Sequence, residues 1–202
     1  MNGQETEAKF FVRDLKRIET RLLELKACLI QPRVHEINYR FDTPENRLRK
    51  SSQVLRLRQD AEAKLTYKGP STPTDGGVMT RKEIEFTVGD FENAKEFLLS
   101  LGYLPKIFYE KFRTTYELNQ THIMLDELPY GTFVEVEGNN AEEIQATVRQ
   151  LGLKWENMIR MGYHAIFDIL AKKYGLDASQ LSFENVRGTN INSDDFMFQP
   201  AD

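Results

Sequence analysis

The chain has 202 residues, a length that favours one compact unit with additions over two separate cores. Hydrophobic residues at 40% and charged residues at 29% rule out disorder throughout; no apolar stretch approaches the roughly 20 residues that cross a bilayer, and the N-terminus lacks a signal peptide's apolar segment, so a cytoplasmic protein with no membrane partner is expected. A net charge of −4, from 27 basic and 31 acidic residues, argues against a general nucleic-acid surface, while the single Cys28 and three scattered histidines exclude a disulfide framework or a thiolate zinc site and leave any metal to carboxylates.

In chain order, the spacing of Leu15, Ile18, Leu22, Leu25 and Leu29 predicts an amphipathic helix over 13–30, with Asp14 as its N-cap and Cys28 buried as a small apolar residue. Further helices are expected over 91–101, between Asp90 and Gly102; over 141–151, between Asn140 and Gly152; and over 155–174, stopped by Gly175. The last of these puts Ile159, Tyr163, Ile166, Phe167 and Leu170 on one face, with Trp155, Tyr163 and Phe167 as core. It is also a candidate to cap a tunnel mouth or to mediate a homodimer. Between the helices the period drops to two, giving strands near 4–12, 35–43, 53–59, 63–69, 80–88, 107–118, 121–127 and 132–138. Several join through turns too short for anything but antiparallel neighbours. The Pro-, Gly- and Thr-rich 69–80 connection reads as a mobile loop. The expected division is 1–175 as the folded domain and 176–202 as a tail, in which Asp194, Asp195 and Asp202 are solvated or lie over a tunnel entrance.

The charged face of these strands is unusual. It reads Glu5, Glu7, Lys9; Arg56, Arg58; Lys64, Thr66, Lys68; Arg81, Glu83, Glu85; Lys111, Arg113; Asp126; Glu135, Glu137, and the residues between are almost all apolar. Helices with one apolar stripe must pack on the apolar face, which turns the charges inward. Eight tilted strands close around a space for one small ligand, and charges lining it must be hydrated, paired or neutralised by what binds. The expected fold is therefore α+β: an eight-stranded antiparallel β-barrel, a tunnel with a charged interior covered outside by helices. Carboxylates two apart on one strand face suit Mg²⁺ or Mn²⁺, and the surrounding Arg and Lys suit a phosphate chain. No glycine-rich phosphate loop is present, so side chains must read the phosphates. Three Glu-x-Glu segments, at Glu5, Glu83 and Glu135, each precede a predicted helix, a weak internal repeat.

The segment Glu5-Thr6-Glu7-Ala8-Lys9 resembles the ExExK signature of the CYTH, or triphosphate tunnel metalloenzyme, superfamily, which includes class IV adenylate cyclases and thiamine triphosphatases. Further matches follow in order: RFDTP at 40–44, LRLR at 55–58, LTYKGP at 65–70, RKEIE at 81–85, KFR at 111–113, LDELPYG at 125–131 and FVEVEG at 133–138. The resemblance covers about residues 4–170. It implies a tunnel binding a triphosphate with Mg²⁺ or Mn²⁺, with Glu5, Glu7, Glu135 and Glu137 as metal ligands and Asp126 near the metal or its water. Glu5, Glu7, Asp126 and Glu137 would carry the chemistry. Lys9, Arg56, Arg58, Lys68, Arg81, Lys111 and Arg113 would hold phosphates, and Glu83 and Glu85 would support the bases or contact a further metal. Lys64 is in register but matches no firm motif, and reads equally as a rim charge.

If water attacks, the enzyme is a triphosphatase acting on inorganic tripolyphosphate, a nucleoside triphosphate or thiamine triphosphate. If the ribose 3′-hydroxyl attacks, it is an adenylate cyclase yielding cyclic AMP and pyrophosphate. The cyclase members share a longer lead with a His-Phe pair before ExExK, and only four residues precede Glu5 here, which favours hydrolysis. A non-catalytic polyphosphate-binding module is the third reading; the intact glutamates weigh against it. His122 reads as structural or rim-exposed, and His35 and His164 have no partners suggesting catalysis.

Overall fold

A computed structural model describes residues 4–73, 78–192 and 195–202, and the side chains of Gln4 and Glu5 lie outside what it describes. The elements are β1 (Gln4–Val12), α1 (Leu15–Glu24), β2 (Cys28–Asp42), α2 (Arg47–Lys50), β3 (Val54–Gln59), β4 (Ala63–Lys68), β5 (Thr72–Pro73), β6 (Met79–Val88), α3 (Phe91–Ser100), β7 (Leu104–Leu118), β8 (Thr121–Leu128), β9 (Gly131–Glu137), α4 (Ala141–Gln150), β10 (Met158–Ile159), α5 (Tyr163–Tyr174), β11 (Gln180–Leu181) and α6 (Phe183–Val186). Eight strands pair antiparallel in the ring β1-β9-β8-β7-β2-β3-β4-β6, which closes where Gln4–Glu7 of β1 meets Lys82–Met79 of β6. This is the tunnel expected from the alternation.

The short strands patch edges that the ring leaves open. β6 covers β1 only as far as Glu7, and β10 takes the same edge at Lys9 and Phe10. β8 covers β7 only from Phe112 onward, and β11 pairs in parallel with Phe108 and Tyr109. Unpaired backbone donors and acceptors are thereby satisfied without lengthening the barrel.

Outside the ring, α1 and α4 bury Ile18, Leu22, Ile144 and Val148 against Phe10, Val12, Ile123, Val134 and Val136, which point outward from β1, β8 and β9. On the far side α3 packs Leu98 on Phe41 and Leu57. Each fully buried Leu, Ile or Phe contributes about 1.5–3 kcal/mol, so these stripes commit the alternate, charged residues to the lumen. Asp14, Asp90 and Asn140 each accept a hydrogen bond from the third residue beyond, capping α1, α3 and α4 as the sequence indicates. Asn119 and Gln120 both take positive φ in the two-residue β7–β8 turn.

Three expectations need correction. The first helix ends at Glu24, where Lys26 turns left-handed and β2 begins; Leu29 and Ile30 are exposed, and Cys28 is an exposed strand residue instead of a buried helical one. The 155–174 helix is broken: residues 155–157 form one 3₁₀ turn, β10 follows, and α5 starts only after Gly162, although Ile159, Tyr163, Ile166, Phe167 and Leu170 are all buried. The third concerns the end of the chain. Leu181 and Ala201 are fully buried, Phe196 and Phe198 stack on each other and lean on Phe11, Asp195 binds Lys173 and Tyr174, and the Asp202 carboxylate accepts from the backbone N–H groups of Arg13 and Asp14. Aromatic residues at 196 and 198 supply a reason that charge-pattern reading passed over. Asp194 and residues 74–77 of the expected mobile loop lie outside the described residues, while Thr72 and Pro73 pair with β6. Among the described residues no helix is long and apolar enough to cross a membrane.

Candidate functional site

The lumen is a cavity of about 1350 Å³ whose lining includes ten basic but only five acidic side chains. Along β1 and β9 the inner face is read off in register: Glu7 lies opposite Glu137, Lys9 opposite Glu135, and Phe11 opposite Phe133. Charge thus gives way to aromatic surface toward one end. There Tyr163, Ile166 and Phe167 of α5 pack with Phe11, Leu128 and Phe133, and Phe196 and Phe198 join them. The closed end is plugged by α5, with the residues around Gly162 forming part of the lumen wall. One helix therefore lies across the barrel end while the others cover the outside.

Deepest in the wall is Asp126, fully buried on β8. Its oxygens accept from Arg113 Nε at 2.6 Å and Nη2 at 2.5 Å, from Lys111 Nζ at 3.1 Å and from the Tyr163 hydroxyl at 2.8 Å. Glu135 is shared between Lys9 Nζ at 2.8 Å and Arg113 Nη2 at 2.5 Å. Burial alone would raise the Glu135 carboxyl, but Lys9 and Arg113 hold it well below the usual carboxylate range. Burial likewise pulls Lys9 down, and Glu135 and Glu7 more than offset this, leaving its ammonium at about 12. Lys9 also sits 4.3 Å above the Tyr163 ring. Burial, then Asp126 and Glu135, push the Tyr163 hydroxyl well up, so it stays a donor.

A second cluster occupies β3, β4 and β6. Glu85 lies 3.3 Å from Arg56, 3.1 Å from Arg58 and 3.8 Å from Lys64, and accepts from the Thr66 hydroxyl at 2.8 Å. Lys68 pairs with Glu83 at 3.2 Å, and Arg81 with Glu7 at 4.0 Å. Lys64 does face the cavity. Glu5 lies opposite Arg81 in the β1–β6 pairing, but its side chain is outside the described residues. All other expected site residues converge on this lumen or its immediate wall.

Sequence reading missed one inward row. On β2, Glu36 and Asn38 are buried and Arg40 lines the cavity, while Ile37, Tyr39 and Phe41 point the other way. Glu36 lies 3.7 Å from Lys111 and 3.8 Å from Arg58 and accepts from Asn38 Nδ2; burial raises its carboxyl, yet Lys111 and Arg113 leave it below its usual range. The alternation at 36–41 carried the signal. Tyr109 of β7 is the other omission, accepting from Arg56 at 3.4 Å. Tyr163, expected as core alone, also has a hydroxyl in the site. His122 is half-exposed at the rim, consistent with the sequence reading.

The residues fit a divalent cation, though not as a closed cage. Among the described residues no three His, Cys, Asp or Glu side chains gather as a ready-made cation site. Both oxygens of Glu135 are engaged by bases, and Asp126 is fully engaged behind the wall. Glu7 and Glu137, however, lie directly opposite each other in the β1–β9 ladder and both line the cavity, with Lys9 at 3.9 Å and Arg81 at 4.0 Å from Glu7, so two carboxylates stand side by side on the wall. One or two carboxylates completed by water and substrate oxygens are a common Mg²⁺ arrangement. Gly138, which ends FVEVEG, lets α4 pack closely, because a Cβ there would crowd Ile144 at 3.1 Å and Thr121 at 3.2 Å.

The CYTH domain family model matches residues 3–163. Among solved structures, a candidate adenylate cyclase from Vibrio parahaemolyticus superposes with a TM-score of 0.76 at 19% identity, covering 83% of this chain and 99% of that one. A protein from Pyrococcus horikoshii gives 0.68 at 26% identity, with 84% and 99% covered. A protein from Hippeastrum, named as an adenylyl cyclase candidate with a dominant triphosphatase activity, gives 0.62 at 16% identity, with 81% and 95% covered. A search of curated proteins returned no match.

Proposed function

This chain belongs to the CYTH domain family, and from that premise we propose that it is a divalent-metal-dependent triphosphatase, taking a triphosphate chain into its lumen and transferring a phosphoryl group to water. The observation that carries the reading is the cavity itself: ten bases and five acids line it, Asp126 and Glu36 add two more acids in the wall behind, and two carboxylates are opposed at Glu7 and Glu137. An excess of bases that remains after this pairing favours a multiply charged anion, and adjacent carboxylates suit a cation that accompanies it. The Hippeastrum protein's dominant triphosphatase activity on the same fold is in line with this.

Glu7 and Glu137, joined by Glu5 as the ExExK resemblance implies, would hold Mg²⁺ or Mn²⁺. Bound there, the metal would neutralise charge on the phosphoryl oxygens and leaving group. Lys9, Arg56, Arg58, Lys68, Arg81, Lys111 and Arg113 would hold the phosphates. Phosphoryl transfer asks the protein mainly for positioning and fixed charge. Asp126 and Glu135 contribute here as positioning residues: with both carboxylates saturated by Lys9, Lys111, Arg113 and Tyr163, these bases are aimed before substrate arrives. Glu83 and Glu85 do the same for Lys68, Arg56 and Arg58. A carboxylate of the Glu7–Glu137 pair is the acceptor for the proton of the attacking water, and no nucleophilic side chain is required.

The test is to incubate purified protein with Mg²⁺ or Mn²⁺ and either tripolyphosphate or ATP, then separate the products. Metal-dependent orthophosphate is expected. Cyclic AMP with pyrophosphate would replace the hydrolase by a cyclase, and metal-free binding without turnover would replace both by a binding module.

A further inference from the structure

We infer that the closed end of the lumen carries a subsite for a fourth phosphoryl group, built on Arg40, so that the protein prefers linear tetraphosphate chains to triphosphates. The inference rests on the triphosphate reading of the same cavity and extends it toward the plug.

Nearly every base expected to hold triphosphate has a carboxylate of its own: Lys9 has Glu135, Lys111 and Arg113 have Asp126, Arg56 and Arg58 have Glu85, Lys68 has Glu83, and Arg81 lies against Glu7. Arg40 breaks the pattern. Among the described residues it makes no hydrogen bond and no ion pair with an acid, though it is half-buried and lines the cavity. Directly across the β2–β3 ladder it faces Arg56, a like charge. Burial lowers its guanidinium, and Arg49, Arg81 and Arg56 lower it further, with only the Tyr109 hydroxyl acting the other way.

His164, at the start of α5, feels the Arg40 charge and also lines the cavity. The Nε2 of His164 lies 3.3 Å from Asp168, whereas its buried Nδ1 has no partner. A desolvated cation beside other cations is costly unless an anion arrives. The occupant must also be small, because Phe11, Phe133 and the start of α5 close this end. A tetrahedral phosphoryl group continuous with the bound chain meets both demands, and a nucleoside does not. Any organic group therefore extends toward the other end.

The experiment is calorimetric titration of the whole protein in metal-free buffer with inorganic tripolyphosphate, inorganic tetraphosphate, ATP and adenosine 5′-tetraphosphate. Wild type is expected to bind tetraphosphate about tenfold more tightly than tripolyphosphate, the gain from about one charge-assisted hydrogen bond. Arg40→Gln should erase that ratio while leaving tripolyphosphate affinity within about twofold, and Arg40→Lys should keep part of it. The same gain for adenosine 5′-tetraphosphate over ATP supports a subsite that reads the phosphoryl group on either carrier; a gain for the inorganic chain alone supports it with the inorganic chain as ligand. Equal wild-type affinity for three and four phosphates overturns the inference, whatever the variants do, as does a ratio that survives Arg40→Gln. Because binding is read without turnover, tetraphosphate preference in a protein that hydrolyses nothing would sink the triphosphatase reading alone.

Discussion

Replacing Asp126 by Asn asks how much the lumen depends on its buried counter-charges. The carboxylate is fully buried and receives four hydrogen bonds, from Arg113 twice, Lys111 and Tyr163. Asparagine keeps the shape but removes the charge, leaving Lys111 and Arg113 to Glu36 and Glu135. Removing one partner of a buried ion pair typically costs 3–5 kcal/mol, because the remaining charge has lost both water and counter-ion. At about 2–4 °C per kcal/mol for a chain of this size, thermal unfolding should fall by roughly 6–20 °C. The phosphate chain supplies the missing negative charge, so tripolyphosphate should raise the unfolding temperature of Asp126→Asn by more than that of wild type. Differential scanning calorimetry with and without ligand reads both effects. A variant melting within about 2 °C of wild type would refute the argument that Asp126 balances these bases.

Glu85→Gln releases Arg56, Arg58 and Lys64 from the carboxylate that aims them and should weaken tripolyphosphate binding several-fold in calorimetric titration; unchanged affinity would count against Glu85 as a positioning residue. Acid stability should show two windows. Burial first, then Arg40 and Arg49, outweigh Asp168 and hold His164 at about 4 against an ordinary 6.5, so the unfolded chain takes up a proton that the folded one refuses. That penalty is absent above about pH 6.5 and grows on acidification, reaching about 2 kcal/mol at pH 5; urea titrations of His164→Gln should therefore be flatter than wild type between pH 7 and 5. Glu135 and Glu85, held below their ordinary range in the fold, contribute stability that is full above the unfolded pKa near 4.5 and is lost as pH falls further, equally in wild type and in His164→Gln. A His164→Gln protein with the wild-type slope would contradict the histidine assignment.

Much of the tunnel was legible because two independent patterns agree: helices with one apolar stripe, and strands whose apolar residues alternate with charges. That agreement fixes which face is inward even though the result inverts a usual core. Glu36, Asn38 and Arg40 obey the same alternation, and Arg40 opens the RFDTP match, but the row mixes an acid, an amide and a base instead of repeating one charge as Arg56 and Arg58 or Glu135 and Glu137 do. The early end of α1 left no local mark, since Lys26 adopts a left-handed conformation at a position without glycine, and the helical spacing of Leu22, Leu25 and Leu29 continues into a strand. The break in the 155–174 segment is a tertiary effect: Met158 and Ile159 are drawn into the edge of β1 that β6 leaves uncovered. The packing of residues 195–202 likewise depends on an aromatic surface, Phe11 and Phe133, that exists only after the barrel closes.

The most direct test of the proposal that metal and phosphate chain meet in this lumen is a paired measurement of binding and orthophosphate release on Glu137→Gln and Arg56→Ala, with tripolyphosphate and Mn²⁺. Glu137→Gln is expected to abolish release while weakening binding far less, and Arg56→Ala to weaken binding chiefly. Wild-type release by Glu137→Gln would contradict that proposal.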